Sequence, residues 1–291
     1  MAYIPAVDAD LTLSDGRNLA YAEWGELGGR PMFLFHGAPA SRLFAPNPAT
    51  TAGAAVRLIT VDRPGYGRSD RHPGRQILDW PNDVVELADA LGVSEFDVVG
   101  HSSGGPYVLA CAHKLPERVN RVGLISCIAP FREPAAEPHA DDDDALTGLA
   151  RQNPARAAAE IAQSAAFLVE SPERFLDLPR PEPDTKLLAD PDIRRMFLDA
   201  IREAVTQGTD AYGWDCALER RPWGFALAEI GAEVRIFQGG QDAVVPPSDA
   251  EMLSAALPSS HLLLFPGAGH GLILGHWKEI LSALETVVAD I

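Results

Sequence analysis

Apolar positions in the first half of the chain fall in short runs divided by turn residues, with helical spacing between some of the runs. Leu11 and Leu13, then Leu19 and Tyr21, alternate on either side of Ser14-Asp15-Gly16-Arg17-Asn18, which predicts two strands around a turn. Met32 to Phe35 and Val56 to Val61 read as buried strands, ending at His36-Gly37 and Asp62-Arg63-Pro64-Gly65. Ile77, Val84, Val85, Leu87, Ala88 and Leu91 share one helical face before Gly92. A strand over Phe96 to Val99 runs into Gly100, a helix covers Pro106 to Lys114, and Val119 to Ile125 is the next strand. This alternation predicts an α/β fold: a mostly parallel sheet with helices on both faces.

The alternation stops at about Pro130. From there to Ile230 the chain is rich in Ala, Pro and charge, with helical patterning. Asn153-Pro154, Ser171-Pro172 and Asp190-Pro191 each set a capping residue before a proline suited to the first helical turn. The clearest helix begins at Asp190 and carries Ile193, Met196, Phe197, Ala200, Ile201 and Val205 on one face before Gly208. Strand signals return at Val234 to Phe237 and Leu262 to Phe265, with helices over Ser248 to Leu257 and Trp277 to Ala289. The expected organisation is a core of residues 1–129 and 231–291 interrupted by a helical insertion, 130–230. The acidic run Asp141 to Asp144 reads as a solvated charge cluster without calcium-loop spacing.

Composition narrows the class. Hydrophobic residues make up 46% of the 291 positions and charged residues 22%, ordinary for a globular chain. The formal net charge of −17 repels phosphate backbones and anionic bilayers, which argues against nucleic-acid and membrane partners. Cys111, Cys127 and Cys216 form neither a disulfide framework nor a metal-type pair. No apolar run reaches the roughly 20 residues of a membrane-spanning helix, and Met1 to Leu11 lacks the pattern of a secretion signal. A cytoplasmic protein is expected. The pattern gives no oligomeric state.

Gly100-His101-Ser102-Ser103-Gly104 matches G-x-S-x-G between a predicted strand and a predicted helix, the setting that exposes a nucleophilic serine on a tight turn. A serine hydroxyl needs a base, and in this chain order an acid precedes a late histidine. Asp242 in Gly239-Gly240-Gln241-Asp242 and His270 in Gly267-Ala268-Gly269-His270 each follow a predicted strand, at the sheet end where such sites gather. His36-Gly37-Ala38-Pro39 follows another, which offers the Ala38 N–H, beside that of Ser103, as an oxyanion donor.

These blocks, together with Asp62-Arg63-Pro64-Gly65-Tyr66-Gly67-Arg68-Ser69 and Val245-Pro246, resemble the α/β-hydrolase superfamily. The resemblance implies the α/β-hydrolase fold: an eight-stranded sheet, a helical cap after the sixth strand, and no metal or organic cofactor. It implies Ser102, Asp242 and His270 as the triad of a serine hydrolase acting on an ester or lactone of a small molecule. Relatives that dehalogenate haloalkanes or open epoxides carry Asp where this chain has Ser102. Those placing the acid after the sixth strand differ from Leu124-Ile125-Ser126-Cys127-Ile128, which lacks a carboxylate. His101 and Ser103 depart from the Gly-Gly-Ser-Trp-Gly of proline iminopeptidases. Carbon–carbon bond hydrolysis, perhydrolysis and a non-enzymatic small-molecule receptor remain alternatives on the same framework. Phe167, Phe197, Trp214, Trp223 and Phe225 are the candidate lining of the substrate pocket.

Overall fold

The computed structural model describes residues 3–130 and 145–286. Eight strands form one sheet: β1 (Val7–Thr12), β2 (Asn18–Gly25), β3 (Arg30–Phe35), β4 (Val56–Val61), β5 (Phe96–His101), β6 (Val119–Ile125), β7 (Val234–Gly239) and β8 (Ser260–Phe265). Their order is β1-β2-β4-β3-β5-β6-β7-β8. β2 runs antiparallel to both β1 and β4, and every other neighbouring pair is parallel. The fold is the expected α/β-hydrolase fold.

Period-two alternation explains why both sheet faces are covered. Phe33 and Phe35 join one core cluster, with Ile59, Val98 and Ile236, while Met32 and Leu34 join the other, with Leu58, Val99 and Phe237. Each face therefore needs its own helical layer. Helices Trp80–Ala90 and Gly105–Lys114 cover the first, and helix Trp277–Glu285 covers the second. Cys111 and Cys127 are buried core residues, as their apolar neighbourhoods suggest.

Between β6 and β7 the described chain is helical. Helix Pro191–Ala204 starts where the sequence places it: Asp190 Oδ1 accepts from the N–H groups of Asp192 and Ile193 at 2.8 and 3.3 Å, a cap worth about 1 kcal/mol. Its Met196, Ala200, Ile201 and Ala204 are buried. Asn153 caps helix Pro154–Ser164 in the same way.

Three local expectations change. The helix expected from Ile77 opens as a 3-10 turn, Ile77–Asp79, because Asp79 Oδ2 accepts from the Gln76 N–H at 2.7 Å and Pro81 fits the first turn of the helix that follows. Ser171 gives no side-chain cap, and the helix after it, Glu173–Leu176, has only four residues. The last helix ends at Glu285 with an extended Thr286, and the rest of the expected helix, to Ala289, lies outside the described residues. Asp141 to Asp144 lie outside the described residues.

Candidate active site

The chain sets β4 on one side of β3 and β5 on the other, and this change of winding leaves a crevice at the carboxyl ends of the parallel strands, where ligands bind in open α/β sheets. Four loops meet there, after β3, β5, β7 and β8. Ala38, Ser102, Val244 and His270, one from each, line a single cleft. Its opposite wall comes from the helical insertion.

Ser102 follows β5 in a left-handed conformation, φ 54°, leading through a short turn into helix Gly105–Lys114. A non-glycine residue there costs about 1–2 kcal/mol, so surrounding structure must hold it. Close packing does so: a Cβ at Gly104 would lie 2.1 Å from the Phe35 carbonyl oxygen. The serine thus projects from a turn pressed against β3.

His270 Nδ1 lies 2.9 Å from Asp242 Oδ2. The other carboxylate oxygen of Asp242 accepts from the N–H groups of Val244 and Val245, each at 2.9 Å. Burial alone would raise the Asp242 pKa. The hydrogen bond and charge of His270, with the two N–H groups, outweigh it and hold the carboxyl below its ordinary value. This carboxylate is built to stay ionised and to fix the imidazole tautomer.

A second histidine belongs to the site. His101 lines the cleft, stacks on Phe44 with ring centroids 5.4 Å apart, and places Nε2 3.0 Å from the His270 carbonyl oxygen. Burial, then the charge of His270, pushes its pKa down to about 3, so it stays neutral. It contributes packing and a hydrogen bond, not charge.

Beneath the loop after β3 lies a buried charged group. Arg63 Nη1 donates to the His36 carbonyl oxygen, and Nε donates to Asp215 Oδ2 at 2.8 Å. Asp215 Oδ1 also accepts from Arg75 and from the Tyr107 hydroxyl, the latter at 2.7 Å. Asp215 sits on helix Asp210–Glu219 of the insertion, so this group ties the insertion to the Gly37-Ala38 loop.

The structure brings together Ser102, Asp242, His270 and Ala38, with Ser103 directly after the serine. Of the five expected pocket aromatics, only Phe197 lines the cleft. Phe167 packs in a cluster with Leu168 and Ile201, beneath Arg174. Trp214 Nε1 donates to the Arg75 carbonyl oxygen at 3.0 Å, Trp223 is buried, and Phe225 stacks on His113. Trp223 is a member of the first face's core cluster and Trp214 and Phe225 pack against it, so these three fasten the insertion to the core. Phe44, Phe175, Leu187 and Leu188 line the cleft instead, with Arg180 and Asp184. Only Phe44, close to the His36 to Arg42 block, carried a sequence signal.

An elbow serine, a carboxylate-bound histidine and a sheet of this topology define a protein of the α/β-hydrolase class. The profile of the family described as alpha/beta hydrolase fold matches residues 30–276, and the chain belongs to that family. It is 28% identical over 282 residues to a non-heme chloroperoxidase of Streptomyces lividans, covering 94% of this chain and 96% of that protein. It is 26% identical over 279 residues to a bifunctional esterase/perhydrolase of Acinetobacter calcoaceticus, covering 90% and 92%. The crystal structure of a hydrolase from Pseudomonas aeruginosa superposes with a TM-score of 0.72 at 22% identity, covering 97% of this chain and 99% of that one.

Proposed function

We propose that the protein is a serine hydrolase that cleaves an ester or lactone of a small molecule in the cytoplasm, with residues 130–230 acting as its cap domain. The observation that carries this reading is that Ser102 and His270 line one cleft while His270 Nδ1 is held 2.9 Å from Asp242. That contact leaves Nε2 as the nitrogen available to the serine. A cleft walled mainly by apolar side chains, among them Phe44, Phe175, Leu187 and Phe197, suits a small molecule.

In this reading Ser102 Oγ attacks the carbonyl carbon as His270 Nε2 takes its proton. The carbonyl electron pair moves onto oxygen, facing the Ala38 and Ser103 N–H groups. Collapse breaks the bond to the leaving alkoxide, which receives the proton from His270. Water, deprotonated by His270, then attacks the acyl-enzyme and releases the acid and Ser102.

Perhydrolysis is a second reading, supported by the similarity to the bifunctional esterase/perhydrolase of Acinetobacter calcoaceticus. Hydrogen peroxide in place of water would release a peracid. Hydrolysis of p-nitrophenyl esters of increasing acyl length, by the protein and its Ser102→Ala variant, tests the first reading. Turnover lost in the variant supports it. Absence of turnover across the series counts against a general esterase.

A further inference from the structure

Arg180 stands apart from the other residues of the cleft. The cap side of the wall is otherwise apolar, apart from Asp184: Phe175, Leu187, Leu188 and Phe197. Both oxygens of Asp184 are engaged, accepting from the His270 and Gly271 N–H groups at 3.0 and 2.7 Å. Among the described residues Arg180 is hydrogen-bonded only by neutral groups. Its Nη1 donates to the carbonyl oxygens of Leu176 and Leu178, at 2.5 and 2.8 Å, and its Nη2 donates to that of Phe175.

A guanidinium carries five N–H protons, so these contacts leave Nε–H and one Nη2 proton free. Among the described residues no carboxylate lies within 4.0 Å of this group. The charges around it are Asp184, Arg194 and Asp177, and the last two pair with each other at 2.6 Å. The three carbonyls fix the guanidinium plane, so its free edge needs no ordering before it binds. Burial pushes its pKa down, a sign of a cation short of compensation in a half-enclosed position.

We propose that Arg180 binds a carboxylate of the substrate, at the end of an apolar spacer whose other end presents the scissile carbonyl to Ser102. The apolar wall takes the spacer, and the free guanidinium edge takes the anion through charge-assisted hydrogen bonds. In a chain of net charge −17, Arg180 is a cleft cation without an acidic partner among the described residues. This assignment rests on the ester-hydrolase reading.

The test compares methyl esters of unbranched monocarboxylic acids with monomethyl esters of the dicarboxylic acids from succinic to suberic, matched in length. The wild-type protein is expected to prefer the charged ester at one chain length by about tenfold or more in kcat/KM, the range of a hydrogen bond to a charged group. Arg180→Gln should bring that ratio near one, and Arg180→Lys should keep part of it. No preference at any length, or an unchanged ratio in Arg180→Gln, would overturn the proposal and leave Arg180 as a cap for the carbonyls of helix Glu173–Leu176. Failure to hydrolyse either series would instead count against the ester-hydrolase reading. The Arg180 assignment is then read by calorimetry with monomethyl adipate on the Ser102→Ala protein, with and without Arg180→Gln. Binding lost with the arginine supports it, and no binding to either overturns it.

Discussion

Asp184 accepts a hydrogen bond from the backbone N–H of His270 at 3.0 Å, although the two residues lie 86 positions apart. Its second oxygen accepts from the Gly271 N–H at 2.7 Å. The approach is close: a Cβ at Gly269 would fall 2.3 Å from the Asp184 carboxylate. Asp184 belongs to helix Glu182–Leu188 of the insertion, so the segment over the cleft also holds the loop that carries His270.

Asp184→Asn is therefore expected to lower kcat more than it raises KM. The amide can accept from one N–H but turns its own NH₂ toward the other. A buried group left unsatisfied costs about 1–3 kcal/mol, and a loosened His270 should lower kcat by roughly tenfold. Steady-state kinetics beside thermal unfolding checks this. A fall in Tm with unchanged kcat would restrict Asp184 to a structural role.

The sheet and the loops that carry the proposed triad were legible because their signals are local. Val119 to Ile125 needs only its own apolar run, and Ser102, Asp242 and His270 each lie on the loop that follows a strand. The cleft wall was not legible. Phe175, Leu187 and Asp184 reach it through packing between distant segments, and no spacing in the chain marks that. Trp214, Trp223 and Phe225 were expected in the pocket on size alone. Large aromatic residues serve equally to pack a helical layer on a core, and these three do so.

The buried group around Asp215 should dominate the acid limb of stability. Burial opposes its ionisation, but the charges of Arg75 and Arg63 prevail and hold its pKa well below the carboxylate range. A carboxylate with a depressed folded pKa adds stability that is present above its unfolded value of about 3.9 and is lost as pH falls toward the folded one. Asp215→Ala should flatten the pH dependence between about pH 2 and 4. It should also cost about 3–5 kcal/mol near neutrality, because two buried arginines lose their partner. Urea unfolding midpoints across that range, for both proteins, decide the point.

Glu219 should act in the opposite sense. Burial, with the Asp215 charge adding to it, pushes its pKa up to about 7, and a hydrogen bond with Ser103 only partly offsets this. A carboxyl whose folded pKa is raised favours the folded state in its protonated form. That contribution is full below the unfolded pKa and fades as pH rises through about 7. Wild-type stability should decline between about pH 5 and 8 relative to Glu219→Gln, which has no proton to lose. Parallel urea titrations showing the same slope for both would exclude Glu219 as the source.

Two glycine-to-alanine changes should separate the elbow from ordinary helix propensity. At Gly104 a methyl group would meet the Phe35 carbonyl oxygen at 2.1 Å, and that oxygen belongs to the backbone of a central strand. The strand cannot yield without breaking its pairing with β4 and β5. Relief must come from the turn itself, which carries Ser102 away from the cleft. Gly148, in helix Ala145–Gln152, has no atom of the described residues within 4 Å of its missing Cβ. Alanine there should raise stability by about 0.5–1 kcal/mol, since it removes backbone freedom from the unfolded chain without a clash. Gly104→Ala should fold poorly or, where soluble, lose labelling of Ser102 by an organophosphonate, whereas Gly148→Ala should be labelled at the wild-type rate. Equal labelling in the two variants would mean that the elbow tolerates a side chain at position 104 and that its geometry depends less on contact with β3.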